Sequence, residues 1–328
     1  MTARMRSAVL SSGQTARSAL ISLAPGDSDA IAEGRVFADR RRIVNADQWL
    51  DTGVSVTWYA SRNVSGGASC DRAHPEGGDE PGTLPDSTVP RILATRDGVI
   101  ALYKPAAFSS EPDKTGNQAC VTEFLKQAFS GKLEPQEVHI ATRLDVGVSG
   151  LVLVATSRES KQHLSALSEQ GKLHRTYVAV CAGAVAKEGI WRGSVETTQQ
   201  KKGRPAVTRF SRLSQLDLQA SVNASGKTPL TQLSLVRFQP ETGRKHQLRI
   251  HAARNGYPLL GDRRYGGPKQ LVLPNGTVRT LPRILLQAVT TEVPLGSGDT
   301  WRIDCPVDEE VQVLWLQFGG SYADFQPI

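Results

Sequence analysis

The sequence predicts an α+β fold in which short strands follow one another in series and helices are few. Three observations lead to it. Alternating or continuously apolar runs recur along residues 91–328, and only three stretches there show helical periodicity. A Gly-, Pro- and acid-rich stretch over 61–90 sets that region apart from a smaller N-terminal segment.

The first 25 residues carry Arg4, Arg6 and Arg17 with several serines and no acid before Asp27. A frayed basic terminus is expected there, in preference to the organellar presequence that such a composition faintly resembles. Arg35-Val36-Phe37 and Val54-Ser55-Val56-Thr57-Trp58 follow, short apolar stretches parted by polar turns, as in a small β-hairpin. The stretch 61–90, with Ser65-Gly66-Gly67, Pro75-Glu76-Gly77-Gly78 and Pro81-Gly82, has too few apolar residues to fold by burial and reads as a flexible linker. The division expected is a module over 1–60, the linker over 61–90 and a main domain over 91–328.

Within the main domain, 99–103 reads as a strand and 121–129 as a short amphipathic helix. The apolar run 151–155 is a buried strand, Ser157 is placed to cap a helix over 158–169, and 175–182 alternates as another strand. Thr242-Gly243 precedes a helical run over 244–254, which Asn255-Gly256 and Pro258 bring to a stop. Strands over 284–293 and 301–305 complete the pattern, and 267–283 reads as an extended loop or hairpin around Asn275-Gly276. The longest apolar runs are far short of the about 20 residues that cross a bilayer, so no membrane partner is expected.

The net charge is +7, and it is unevenly spread: residues 1–60 hold 7 basic and 6 acidic side chains, 61–90 hold 2 and 5, and 91–328 hold 30 and 21. The excess in the main domain suits a polyanionic partner. Cys70, Cys120, Cys181 and Cys305 stand far apart without a C-x-x-C pair, so neither a zinc site nor a disulfide framework is indicated. A reducing compartment fits best, cytoplasmic, with an organelle matrix such as the mitochondrial one as the alternative.

The chemistry centres on Thr142-Arg143-Leu144-Asp145-Val146-Gly147-Val148-Ser149-Gly150, a Gly-flanked loop that carries one carboxylate and enters a buried strand. A lone Asp ahead of Gly and Ser is more often a turn residue than a catalyst. Its company changes that reading. Tyr103-Lys104-Pro105 lies ahead of it and Arg175-Thr176-Tyr177-Val178-Ala179 behind, followed by Gly243-Arg244-Lys245-His246-Gln247-Leu248-Arg249-Ile250-His251, Gly256-Tyr257-Pro258-Leu259-Leu260-Gly261-Asp262 and Tyr265-Gly266. Four elements in this order, over about residues 91–310, resemble the RluA-type RNA pseudouridine synthases.

The resemblance implies a large mixed, mostly antiparallel sheet with a central catalytic cleft over 91–328. It makes Asp145 the carboxylate that acts at the ribose C1′ of the target uridine, by direct addition or by proton removal, the sequence being compatible with both. Burial disfavours the ionised form of any carboxylate, and the matching cation is Arg249, whose guanidinium can grip a carboxylate in a fork. Tyr177 matches the tyrosine that lies against the uracil ring, and Arg143 the residue that fills the gap when the uridine swings out. With Lys104, Arg244, Lys245, His246 and Gln247, Arg143 makes up the RNA-facing set. The reaction breaks an N-glycosidic bond and rejoins the same base through carbon, so no cofactor is implied. A metal is not expected either, because His246 and His251 stand five residues apart with no acidic third ligand.

Thr142, Val148, Lys245 and Ala107 depart from the family's usual His, Thr, Thr and Gly. The first two shape the loop around Asp145. Glu33-Gly34-Arg35-Val36-Phe37 through Gly53-Val54-Ser55-Val56 resembles the strand half of the small RNA-binding domain named after a ribosomal small-subunit protein, although the region ahead of it is acidic (Asp27, Asp29, Glu33). Structured RNA is the expected partner and a monomer is expected; on that partial likeness alone ribosomal RNA is favoured over transfer RNA. Two other readings are a noncatalytic RNA-binding or ribosome-assembly factor that kept the fold, and a nucleoside glycosidase. The latter lacks the second carboxylate that flanks the bond in sugar hydrolases.

Overall fold

The computed structural model describes residues 5–10, 14–23, 36–38, 41–42, 49–50, 55–59, 90–106, 108–112, 120–129, 138–197, 200–221, 230–274, 276–296 and 298–326. They fall into two units, one of residues 1–89 with 111–132, the other of 90–110 with 133–328. Asp27, Asp29, Glu33, Ala107 and all of the expected linker but Pro90 lie outside the described residues. No helix among those described is long and apolar enough to cross a membrane.

The first unit contains β1 (Met5–Val9), β2 (Gln14–Thr15), α1 (Ala16–Leu23), β3 (Val36–Ala38), β4 (Arg41–Arg42), β5 (Trp49–Leu50), β6 (Ser55–Tyr59) and α2 (Val121–Ala128). A four-stranded sheet runs in the order β1-β6-β3-β4, and β2 pairs with β5. The expected pairing of the two apolar stretches is present, with Val36 opposite Trp58 and Ala38 opposite Val56. The expectation of a frayed start is corrected. Met5 to Val9 pair along their whole length with Tyr59 to Ser55, which matches the backbone N–H and C=O groups on that edge of β6. In α1, Ala16, Ala19 and Leu20 are buried at helical spacing, and Thr15 Oγ1 accepts from the Ser18 amide at 3.2 Å as its cap.

The second unit contains β7 (Arg91–Arg96), β8 (Val99–Lys104), β9 (His139–Ile140), β10 (Ser149–Ala155), α3 (Arg158–Glu169), β11 (His174–Ala182), β12 (Glu188–Thr197), β13 (Gln200–Ser221), β14 (Leu230–Pro240), α4 (Gln247–Arg254), β15 (Gln270–Val272), β16 (Val278–Thr280), β17 (Leu286–Pro294), β18 (Thr300–Asp304) and α5 (Glu309–Gln317). The sheet runs β12-β13-β14-β11-β17-β10-β8-β7, with β18 also on β17 and β9 also on β10. It is mixed and mostly antiparallel, as expected. β15 and β16 pair as the two arms of the expected hairpin, and Asn275 lies outside the described residues. Every residue of β8 and β10 is buried, which is why both read as continuous apolar runs rather than alternating ones.

The parallel contact is between β10 and β17 and spans two register pairs, Ser149 with Gln287 and Gly150 with Ala288. Gly150 has φ +113, and a Cβ there would stand 2.1 Å from the Ala288 carbonyl oxygen. Only glycine lets the two strands meet at the exit of the Asp145 loop. Gly150→Ala is therefore expected to destabilise the fold by about 3 kcal/mol or more. Urea unfolding checks this, and a loss under about 1 kcal/mol would show that the strands can separate freely.

The helix over 158–169 forms as the sequence expects: the Ser157 side chain accepts from the Ser160 amide and a reciprocal bond closes the capping box. The helix expected over 244–254 starts later, at Gln247. The Gln247 side-chain oxygen accepts from the Thr242 hydroxyl at 2.7 Å and from the Arg244 amide at 3.1 Å, so residues 242–246 form a closed loop. In this unit β7, β9, β12 to β14 and α5 were not anticipated.

Candidate active site

The loop before β10 is tied down at several points. The Leu153 amide donates to Thr142 Oγ1 at 2.8 Å, and the Ala141 amide donates to the Leu153 carbonyl at 2.8 Å. The Leu144 amide donates to Ser110 Oγ at 3.1 Å, and the Val148 amide closes a turn on the Asp145 carbonyl at 3.0 Å. Thr142, where the family usually has His, thus holds the loop through its own hydroxyl. At the loop's exit, Ser149 Oγ donates to Asp308 Oδ2 at 2.5 Å; Asp308 also accepts from the Tyr103 hydroxyl and from Arg283 Nη2, each at 2.8 Å. Arg283 reaches Glu310 as well, at 2.5 Å. This buried polar network fixes both the loop's end and the strand ahead of Lys104.

Asp145 projects from the loop with its side chain 25% exposed. Its Oδ2 accepts from Arg249 Nη1 at 2.6 Å, the expected ion pair. The expected fork lies elsewhere. Arg249 Nε and Nη2 grip Asp262 Oδ2 and Oδ1 at 2.7 and 2.9 Å, so that Asp145 receives one bond, from Nη1. The physical reason is burial: Asp262 is 1% exposed, and a carboxylate so enclosed needs the two-point partner more than one that opens toward solvent. Burial works against the charge on Arg249, but the bonds to Asp262 and Asp145 outweigh it and raise the guanidinium's pKa. Gly261 makes this possible, with φ +78 and a Cβ position 1.8 Å from the Arg283 carbonyl oxygen.

His246 enters from the loop before α4, with its Nε2 3.5 Å from Asp145 Oδ1 and its Nδ1 2.8 Å from the Tyr265 hydroxyl. It has φ +58, a left-handed conformation uncommon outside glycine and found where surrounding structure enforces it. Burial lowers its pKa, and Arg249, Arg264 and Lys245 act the same way against the opposing pull of Asp145. The cation hydrogen-bonded to Asp145 is Arg249. The Tyr265 ring lies 5.0 Å from the Arg249 guanidinium carbon and gives it an aromatic wall.

Three members of the expected RNA-facing set have polar atoms engaged within the protein. Lys104 is fully buried, and its Nζ donates to the carbonyls of Phe108 at 2.8 Å and Pro105 at 3.0 Å. Gln247 is buried with its amide used on Val207, Thr208, Thr242 and Arg244. His246 faces Asp145 rather than solvent. Each lies in a polar or basic motif, yet neighbouring backbone or an acid takes its polar atoms first. Arg143 and Lys245 are exposed, and Arg244 donates from Nε to the Pro205 carbonyl at 3.2 Å.

The two carbonyls at Lys104 match the two N–H bonds of a neutral amine. Burial pulls its pKa from 10.5 down to about 7, with Asp145 opposing the fall. Between those two values the unfolded chain keeps a proton that the folded chain has released, so stability should rise with pH from about 7 to 10. In Lys104→Met that rise should be missing, a difference of up to about 1 kcal/mol per pH unit. Unfolding both proteins at pH 7 and pH 9 tests this, and parallel curves would mean that the lysine stays charged.

Tyr177 is buried on β11, just after a register irregularity between Thr176 and Tyr177. The register sets Gly150, Ala288, Tyr177 and Phe238 in one row across four strands. The row joins the exit of the Asp145 loop to the tyrosine strand. Asp262 and Tyr265 are the site residues that sequence reasoning left without a role. Both stood in the quoted motif, and the signal was an acid directly after an apolar run and a turn glycine.

Residues 98–254 match the family described as RNA pseudouridylate synthase. A tRNA pseudouridine synthase C from Haemophilus ducreyi is 30% identical over 246 residues, covering 71% of this chain and 98% of that protein. The chain belongs to the RluA-type RNA pseudouridine synthases. Another tRNA pseudouridine synthase C, from Yersinia pestis, is 28% identical over 70% of this chain and 91% of its own length. Among solved structures, human RNA pseudouridylate synthase domain containing 4 superposes with a TM-score of 0.52 at 18% identity, over 69% of this chain and 92% of that one, a likeness of fold. The family is one of isomerases that act on RNA. The family match takes in Asp145, Tyr177 and Arg249 and ends before Asp262 and Tyr265.

Proposed function

We propose that this synthase converts uridine to pseudouridine in transfer RNA, with Asp145 acting at the ribose C1′. The observation that carries the assignment of Asp145 is its place in the ionic chain: a partly open carboxylate on a buried arginine that a second, closed carboxylate grips from behind. The closed acid fixes the guanidinium, and the guanidinium aims Asp145 without occupying both of its oxygens. The N1–C1′ bond breaks, the base turns, and C5 bonds to C1′ as C5 gives up its hydrogen and N1 gains one. Product and substrate are isomers, and no outside nucleophile is consumed. Tyr177 lies against the uracil ring, and Arg143 fills the gap left in the RNA as the target base swings out.

Transfer RNA is preferred to the ribosomal RNA expected from the N-terminal segment. Two relatives matched over nearly their whole length carry a transfer-RNA name, whereas the ribosomal expectation rested on a partial likeness outside the chemistry. Mapping pseudouridine in both RNA pools with and without the gene tests the choice. Loss of a transfer-RNA site is expected. Loss confined to ribosomal RNA would overturn the substrate, and conversion of unmodified transcripts by the purified protein would still uphold the chemistry.

A further inference from the structure

Among the arginines around the site, most are committed. Arg249 serves Asp262 and Asp145, Arg283 serves Asp308 and Glu310, and Arg254 bonds the Ser194 carbonyl. Arg175 is different. It stands two residues before Tyr177 on β11, opposite Thr291 of β17. Its guanidinium carries no hydrogen bond or ion pair to any described residue, and its Nε is sealed from solvent without a partner. Folded proteins seldom leave a buried donor unmatched, and where they do, a bound group often supplies the acceptor.

The guanidinium extends to the loop between β14 and α4. One of its terminal nitrogens is 3.1 Å from where a Cβ on Gly243 would sit, so any larger residue would press on it. The loop's acid, Glu241, does not answer this charge, because Arg209 Nε holds it at 2.5 Å. Arg244 and Lys245 add two more cations to the same loop. Its far end carries His246 against Asp145, and three residues of chain span at most about 11 Å. Arg175 thus offers unmatched donors against the same loop that carries His246 to the reacting carboxylate.

We propose that Arg175 binds a backbone phosphodiester of the RNA substrate next to the nucleotide held at Asp145, and that residue 243 is glycine so that this guanidinium can lie against the loop. A phosphodiester oxygen is the acceptor that an RNA substrate brings in quantity, and it meets the planar fork of an arginine better than a single neutral acceptor does. The inference requires RNA as substrate, which the family supplies, and does not depend on the transfer-RNA reading.

The test uses full-length protein and a pool of unmodified transfer- and ribosomal-RNA transcripts. Affinity is measured across salt, and the single-turnover rate at saturating RNA. Arg175→Met should weaken binding about tenfold at low salt and reduce the slope of log affinity against log salt by about one. The saturated rate should stay within about threefold. Arg175→Lys should keep the slope and regain part of the affinity. Gly243→Ala, which leaves the charge in place and crowds it, should weaken binding in the same direction. Unchanged affinity and slope in Arg175→Met would show a solvated arginine and overturn the proposal. An intact slope with a reduced saturated rate would overturn it too, by making Arg175 a support for Tyr177. If Arg175→Met does not fold, the lysine and Gly243→Ala variants decide: parental affinity in both rules the contact out.

Discussion

Replacing Asp145 by Asn is expected to end pseudouridine formation while leaving RNA affinity within a few-fold of the parent. The amide keeps the shape and can still accept from Arg249 Nη1, but it supplies neither the negative charge nor the reactive oxygen. The drop should be at least about a thousandfold, equal to about 4 kcal/mol of transition-state stabilisation. Because Asp145 is the outer, partly exposed member of the ionic chain, the fold should lose little. Single-turnover conversion alongside thermal unfolding checks both parts. Substantial turnover by the Asn variant would remove Asp145 from the chemistry.

The second large effect is expected at Arg249, and it has two components. Arg249→Met removes the hydrogen-bonded cation of Asp145, so the rate should fall severely. It also strands Asp262, a carboxylate that is 1% exposed and has its fork nowhere else. Removing one partner of a buried pair costs about 3–5 kcal/mol, so this variant should be less stable than Asp145→Asn. The double variant Arg249→Met with Asp262→Leu separates the components. An apolar pair of similar volume should restore most of the stability and none of the rate. Arg249→Lys should recover little, because one ammonium cannot grip Asp262 at two points and also reach Asp145. The salt dependence of RNA binding should stay as in the parent for each variant, since the guanidinium faces two carboxylates rather than phosphate. A lower salt slope with an intact saturated rate would make Arg249 an RNA contact.

Some elements were open to sequence reasoning because their causes are local. Ser157 caps the helix that follows it and β8 and β10 announce themselves as unbroken apolar runs, since each is decided within a few residues. The candidate site was legible too, because Asp145, Tyr177 and Arg249 sit in dense motifs whose order carries information. What escaped were elements without a local signature. β13 runs for 22 residues from Gln200 to Ser221 with charges and serines throughout. Its partners on both sides, rather than its own periodicity, make it a strand. The start of α4 was placed too early because helical propensity over 244–246 gave way to the bonds on the Gln247 side chain.

The sequence by itself determined which groups are the candidates for the chemistry: one carboxylate in a glycine-flanked loop, one arginine, one tyrosine and a basic main domain for a polyanion. Tertiary structure alone decided how those groups are matched. Arg249 lies 104 residues from Asp145 and 13 from Asp262, and nothing in the chain's order says which acid receives the fork. Burial decides it, because the more enclosed carboxylate needs the stronger partner. The same rule turns Lys104, polar and basic in sequence, into a buried amine on two carbonyls. Charge and motif can be read from a chain, but solvent access is a property of the packed whole, and it determines where each charge finds its counterpart.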